Sequence, residues 1–206
     1  MRHGEVHNPS RVLYGRLPHF GLSADGRRMA QAAADHVERA GRPVSALISS
    51  PLQRTRESSE PFTAAFGLDP VIDDRVIEPT NVFEGRRMNR ALMNPLNWRH
   101  LRTPETPSWG EPYLEVVARM DAAMRDVWHR TASGDAVIVS HQLPIWITHL
   151  SVAGEALRHD PRRRRCALSS VTSFELESAD GRDGVWREVA YAEPASTAGA
   201  VDVGAV

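Results

Sequence analysis

The chain has 206 residues, 41% of them hydrophobic and 25% charged, with a formal net charge of -1, the proportions of one globular domain with a core of its own. Near-neutrality argues against a nucleic-acid footprint, and no apolar run reaches membrane-spanning length. The single cysteine, Cys166, excludes an internal disulfide and makes a reducing cytoplasm the expected location, and because all 25 basic residues are arginine, Schiff-base lysines and the P-loop lysine are excluded as well.

In chain order, Ser23 is placed to cap a helix through "ADGRRMAQAAADHVERA", with Asp25 in its first turn and Gly41 just past its end. "VSALIS" (44–49) reads as a short buried strand. It runs into "SPLQRTRESSEPFTAAFG", a helix expected to be capped by Ser50, to carry Pro51 in its first turn and to end at Gly67. "PVIDDRVIEP" reads as a strand and its exit. From about 79 to 112 the chain turns rich in Pro, Asn and Arg, which suggests an inserted lid rather than a second domain. Tyr113, Val116, Val117, Met120, Met124 and Val127 then recur at helical spacing, and "AVIVS" (136–140) is the clearest buried parallel strand. A helix restarts at "LPIWITHLSV". "SSVTSFELE" and "GVWREVAYAE" read as a hairpin around Asp180-Gly181, and the small-residue tail from 193 to 206 reads as disordered. The whole is expected to be a three-layer α/β/α sandwich with a mostly parallel central sheet, one domain over 1–192.

Three strand exits carry unusual chemistry: Arg2 and His3 in "RHGE", Arg54 in "SSPLQR", and His141 in "SHQ". Ligands of open parallel sheets bind beyond the carboxyl ends of the strands. Arg54 would also lie in the first turn of a helix, where free N–H groups favour an anion. Arginine forks and imidazoles converging there suggest a phosphate pocket.

With these residues in their order, the sequence resembles the histidine phosphatase superfamily, the phosphoglycerate-mutase-like proteins. The resemblance rests on "RHGE" at 2–5, Asn8, Gly15, "LSADG" at 22–26, "SSPLQR" at 49–54, Glu78 before "FEG" and "VSH" at 139–141. It implies metal-independent hydrolysis of a phosphorylated small molecule without a cofactor. His3 would be the nucleophile, forming a phosphohistidine. Arg2, Arg54 and His141 would clamp the phosphoryl oxygens with help from Asn8, and Glu78 would be the general acid and then the base. His3 must attack as a neutral imidazole, with one ring nitrogen donating to a fixed acceptor. A carboxyl beside a phosphate should have a raised pKa, which suits Glu78.

Each of these residues also has a plainer reading. Glu78 could pair with Arg75, with Glu84 the next candidate acid, and His141 could be a core-edge histidine beside Ser140. "DPRRRRC" (160–166) reads as a solvated basic turn, with contact to a second substrate charge as the minor alternative. Phe83, Met88, Trp98 and Trp109 of the lid are candidates for reading the leaving group. Gln142 stands where the family has Gly and would narrow the pocket or add an amide donor; Met29 stands where it has Gln. The family's apolar strand ahead of Arg-His-Gly is missing or truncated here. That leads to the expectation that Met1 is internal to a longer natural chain, with β-branched residues ahead of it, or else that His3 is mobile. A mutase-type phosphotransferase, a metal site built on "HGEVH" and a phospho-ligand-binding module are the competing functions. Oligomeric state is open.

Overall fold

A computed structural model describes residues 1–97, 110–177, 184–196, 199–200 and 202. Trp98, His100, Trp109 and the Asp180-Gly181 turn lie outside the described residues, as do 197–198, 201 and 203–206 of the tail. Strand β1 (Val44–Ser49) pairs in parallel with β2 (Val71–Ile72) on one side and β3 (Asp135–Val139) on the other. Strands β4 (Val171–Glu177) and β5 (Val185–Ala192) form the antiparallel hairpin expected of the last two segments.

Residues 1–3 fill the gap between β3 and the entrance to β4. Arg2 makes a parallel bridge with Ser140. The Met1 amine donates to the Ile138 carbonyl at 2.8 Å, Ser140 N donates to Met1 O at 2.9 Å, and His3 N donates to Ser140 O at 3.1 Å. On the other flank Arg2 N donates to Ser170 O at 3.0 Å, and Ser169 N to His3 O at 3.2 Å. Residues 1–3 thus run alongside Ser140 on one side and Ser169 and Ser170 on the other. His3 is fastened by its backbone on both sides and is not a loose terminus.

Alternation along the strands sorts the side chains into two cores. Leu47, Val137 and Val139 face helices α1 (Ala24–Arg39) and α2 (Gln53–Phe66), together with Met1, Leu22 and Phe62. The α1 face is a stripe of fully buried Ala30, Ala33 and Ala34; with only methyl groups there, the helix can lie close to the sheet. Ile48 and Val76 face α4 (Tyr113–Arg130) and α5 (Gln142–Val152) through Val116, Met120, Ala123, Leu143, Ile147 and Leu150. Helices on both faces of a parallel sheet make the three-layer sandwich.

The start of α1 agrees with the sequence: Ser23 accepts from Gly26 N at 2.9 Å, and Gly41 adopts φ +69°. The start of α2 does not. Its N-cap is Leu52, which makes no side-chain cap bond, so Ser50 and Pro51 precede the helix. The Ser50 hydroxyl is engaged elsewhere, as described below. Pro61 lies inside α2 without ending it. The strand expected at "PVIDDRVIEP" shrinks to two residues and a 3-10 turn, Asp74–Val76. In the lid, α3 (Met88–Met93) covers Phe83, which is buried against Leu13 and Ala91 with Met88 packed alongside. These two candidate leaving-group readers thus serve a small satellite core.

Candidate active site

Arg2, His3, Arg54, Glu78 and His141 converge, each no more than 1% exposed. His3 follows the opening strand segment, Arg54 lies in the first turn of α2, and His141 is the N-cap of α5. Two glycines permit the convergence. A Cβ on Gly4 would lie 2.2 Å from the Gly26 carbonyl oxygen, and one on Gly26 would lie 2.0 Å from Glu5 O. The loop after His3 and the start of α1 therefore pack backbone against backbone, which explains glycine in both motifs.

The His3 ring is oriented from both sides. Nδ1 donates to the Gly4 carbonyl at 2.8 Å, and Nε2 accepts from Arg54 Nε at 3.2 Å. That arrangement leaves the proton on Nδ1 and the lone pair on Nε2. Burial, reinforced by the charges of Arg54 and Arg2, holds the imidazole pKa well below its ordinary value, so the ring is neutral near pH 7. Arg54 is itself fixed by the Gly15 carbonyl at 2.9 Å and by the Tyr14 ring, 4.7 Å from its guanidinium carbon.

His141 stands 5.2 Å from His3 between ring centroids and bonds through Nε2 to Ser50 Oγ at 2.8 Å. This is the partner that draws Ser50 away from the α2 cap. Burial lowers the pKa of His141 well below its ordinary value, with Arg54 adding to the effect. Glu78 Oε2 lies 3.6 Å from His141 Nδ1, too far for a hydrogen bond and, with His141 neutral, not an ion pair. Burial pushes the Glu78 carboxyl up to about 7, against the opposing pull of Arg54, Arg164 and Arg2. Among the described residues, Arg2 Nε, Glu78 Oε1 and His141 Nδ1 are buried polar atoms with no hydrogen-bond partner. Native interiors seldom leave such atoms unpaired outside functional sites.

The expected alternative pairing of Glu78 with Arg75 is not found among the described residues. Arg75 pairs with Asp73 and Asp126 instead. Glu84 Oε1 accepts from Arg16 N and Asn81 N and so closes a turn. Asn8 shapes its own loop, exchanging side-chain bonds with the backbone of Val12. Gln142 Oε1 accepts from Arg164 Nη1 at 3.2 Å, and Arg164 Nε donates to His159 Nε2 at 2.8 Å. One arginine of "DPRRRRC" thus reaches towards the site rather than solvent, whereas Arg162 pairs with Asp160 at the surface.

Sequence reading missed Ser50, Tyr14 and Asp202. The Asp202 carboxylate makes a two-pronged contact with the Arg2 guanidinium, one arm to Nη1 at 2.8 Å and the other to Nη2. Cys166 O also accepts from Arg2 Nη1, at 2.7 Å. Neighbouring Tyr14 to Gly15 was the one available signal. Nothing local to Ser50 or Asp202 announces partners 91 and 200 residues away. Among the described residues, no three His, Cys, Asp or Glu side chains converge as a metal site would require, and no helix is long and apolar enough to cross a membrane.

Comparison with known proteins follows the same lines. The chain is 48% identical over 199 residues to the uncharacterized protein Rv0525 of Mycobacterium tuberculosis, covering 95% of each. It is 28% identical to the probable phosphoglycerate mutase GpmB of Escherichia fergusonii, over 86% of this chain and 85% of that one. Its fold matches the mycobacterial glucosyl-3-phosphoglycerate phosphatase Rv2419c with a TM-score of 0.73 at 20% identity, covering 91% of this chain and 94% of that chain. The sequence pattern of the histidine phosphatase superfamily (branch 1) matches residues 1–188, and the protein belongs to that family.

Proposed function

We propose that the protein is a metal-independent phosphatase that hydrolyses a phosphomonoester through a phosphohistidine on His3. The observation that carries this reading is the His3 ring: Gly4 fixes the Nδ1 proton, and Nε2 accepts from Arg54 where His141, Glu78 and Arg2 are buried as well. Phosphoryl transfer asks mainly for positioning and charge neutralisation. In the first step the Nε2 lone pair attacks phosphorus while the bond to the leaving oxygen breaks, its electron pair staying on that oxygen. Protonated Glu78 gives its proton to that oxygen, releasing an alcohol. In the second step Glu78, now a carboxylate, takes a proton from water as the water oxygen bonds to phosphorus. The P–N bond then breaks, returning neutral His3 and inorganic phosphate.

Arg2 and Arg54 would carry the dianionic phosphoryl group, and His141 would donate to it. The α5 N-terminus, behind His141, adds a favourable dipole. Asn8 and Gln142 act at one remove in this reading, Asn8 through its loop and Gln142 through Arg164. The cytoplasm is the location we assign, in keeping with the single, free cysteine.

The test is turnover of p-nitrophenyl phosphate in the presence of a chelator. The expected result is hydrolysis unaffected by EDTA and reduced by at least about a thousandfold in His3→Ala. Loss of activity with EDTA would overturn metal independence. Equal rates in wild type and His3→Ala would remove the nucleophile. Transfer to an acceptor alcohol in preference to water would favour the mutase alternative.

A further inference from the structure

We infer that Glu111 is a positioning residue for the acid Glu78, acting through a clamp of two arginines that grips the backbone carrying it; this rests on the phosphatase reading above. Among the described residues, Glu78 Oε1 has no hydrogen-bond partner, and Oε2 lies 3.6 Å from His141 Nδ1. With no hydrogen bond fixing Oε1 among the described residues, the direction of the carboxyl depends heavily on the backbone that carries it.

That backbone is held carbonyl by carbonyl. Arg119 Nη1 donates to Arg75 O at 2.6 Å, Ser140 Oγ to Val76 O at 2.7 Å, and Arg16 Nε to Glu78 O at 2.5 Å. The two arginines come from distant parts of the chain and share one counter-ion. Glu111 Oε1 accepts from Arg119 Nε at 2.7 Å, and Glu111 Oε2 accepts from Arg119 Nη2 at 3.1 Å and from Arg16 Nη2 at 3.3 Å. Glu111 and Arg119 are only 15% and 16% exposed, so solvent screens this junction weakly.

Glu111 is tied to the same loop through its main chain. Its neighbour Gly110 bridges Asn81, three residues after Glu78, and a Cβ on Gly110 would lie 2.3 Å from Thr80 O. One carboxylate thus joins the end of the lid insertion, α4 and the Arg16 loop to the carbonyls of Arg75 and of the acid itself. Without it the guanidinium groups of Arg16 and Arg119 would repel each other, and Glu78 O would lose its donor. A shift of about 1 Å in a catalytic group can cost on the order of a hundredfold.

The test exploits what a proton donor alone affects. Esters with weakly basic leaving groups need little protonation, and esters with strongly basic ones need it most. Steady-state rates are measured for p-nitrophenyl phosphate and phenyl phosphate in wild type, Glu111→Ala, Glu111→Gln, Arg16→Ala and Glu78→Gln. We expect Glu111→Ala and Arg16→Ala to lose about tenfold or more in kcat/KM on phenyl phosphate and less than about threefold in kcat/KM on p-nitrophenyl phosphate. The ratio kcat/KM reports the step in which the leaving group departs, whereas kcat also contains the second step common to both esters. Glu111→Gln keeps one acceptor for the arginines and should show the same bias in smaller measure, which keeps the test alive should the alanine variant fail to fold. Losses that do not depend on the leaving group, while Glu78→Gln discriminates, would overturn the positioning role and leave the phosphatase reading intact. If Glu78→Gln also fails to discriminate, Glu78 is not the acid and the positioning role falls with it, while the phosphohistidine reading is decided separately by His3→Ala.

Discussion

At the scale of single residues, burial is the largest influence on the protonation of His3, Glu78 and His141. Removing His3 and His141 from water keeps both rings neutral, which a nucleophile needs and a histidine exposed near pH 6 would lack. The same burial keeps Glu78 protonated into the range where an acid is useful. Because its folded value, about 7, lies above the 4.5 of an ordinary glutamate, Glu78 favours the folded state fully below pH 4.5. That contribution is lost as the pH rises through 7, by about 3 kcal/mol in all. Glu78→Gln should therefore unfold at nearly the same denaturant concentration as wild type at pH 4.5. At pH 8 it should be the more stable of the two; matching curves at both pH values would contradict the raised carboxyl. In the proposed mechanism the first step needs the protonated form, so kcat/KM should fall above pH 7, and that limb should vanish in Glu78→Gln.

At the scale of elements, the site depends on how closely two backbone segments approach. Gly26, in the first turn of α1, sits against Glu5 O with no room for a methyl group. Gly26→Ala should cost about 1–3 kcal/mol of stability through overpacking and lower activity by displacing the loop after His3. A thermal melt and a turnover assay on the purified variant check both, and an unchanged melting temperature would show that the segments can separate freely. Elements whose signals are local were legible beforehand. Ser23 and Gly41 mark the ends of α1, "VSALIS" has the bounds of β1, and the apolar spacing from Tyr113 to Val127 gives α4. Elements decided by tertiary contact were not. Ser50 looks like a cap for α2 but is engaged with His141, and "PVIDDRVIEP" has strand composition yet turns after Ile72, where Asp73 accepts from Arg75 N at 2.8 Å.

At the scale of the whole molecule, the opening residues work because distant chain meets them on both sides. Met1, Arg2 and His3 are held on one side by Ser140 and on the other by Ser169 and Ser170, and no reading of "MRHGEVHNP" alone could find these partners. Arg2, His3, Arg54 and His141 could be grouped beforehand because they stand at strand exits, where ligands of open parallel sheets bind, whereas Glu78 was suggested only by the family resemblance. Their supports, Tyr14, Arg16 and Glu111, were not, because each acts through a contact with another segment. Asp202 belongs to the same class. Its carboxylate holds the guanidinium that the proposed mechanism gives to the phosphoryl group, so the two anions compete. Asp202→Ala should tighten binding of inorganic phosphate by at least about threefold, a modest figure for a partly exposed partner; unchanged calorimetric affinity would mean that phosphate does not use Arg2. The central claim is tested most directly by a rapid acid-free quench of the enzyme with 32P-labelled aryl phosphate. The account predicts a phosphoryl adduct that is stable in base, lost in acid and absent from His3→Ala. A turning-over enzyme whose adduct survives the loss of His3, or one that forms none under single-turnover conditions, would contradict it.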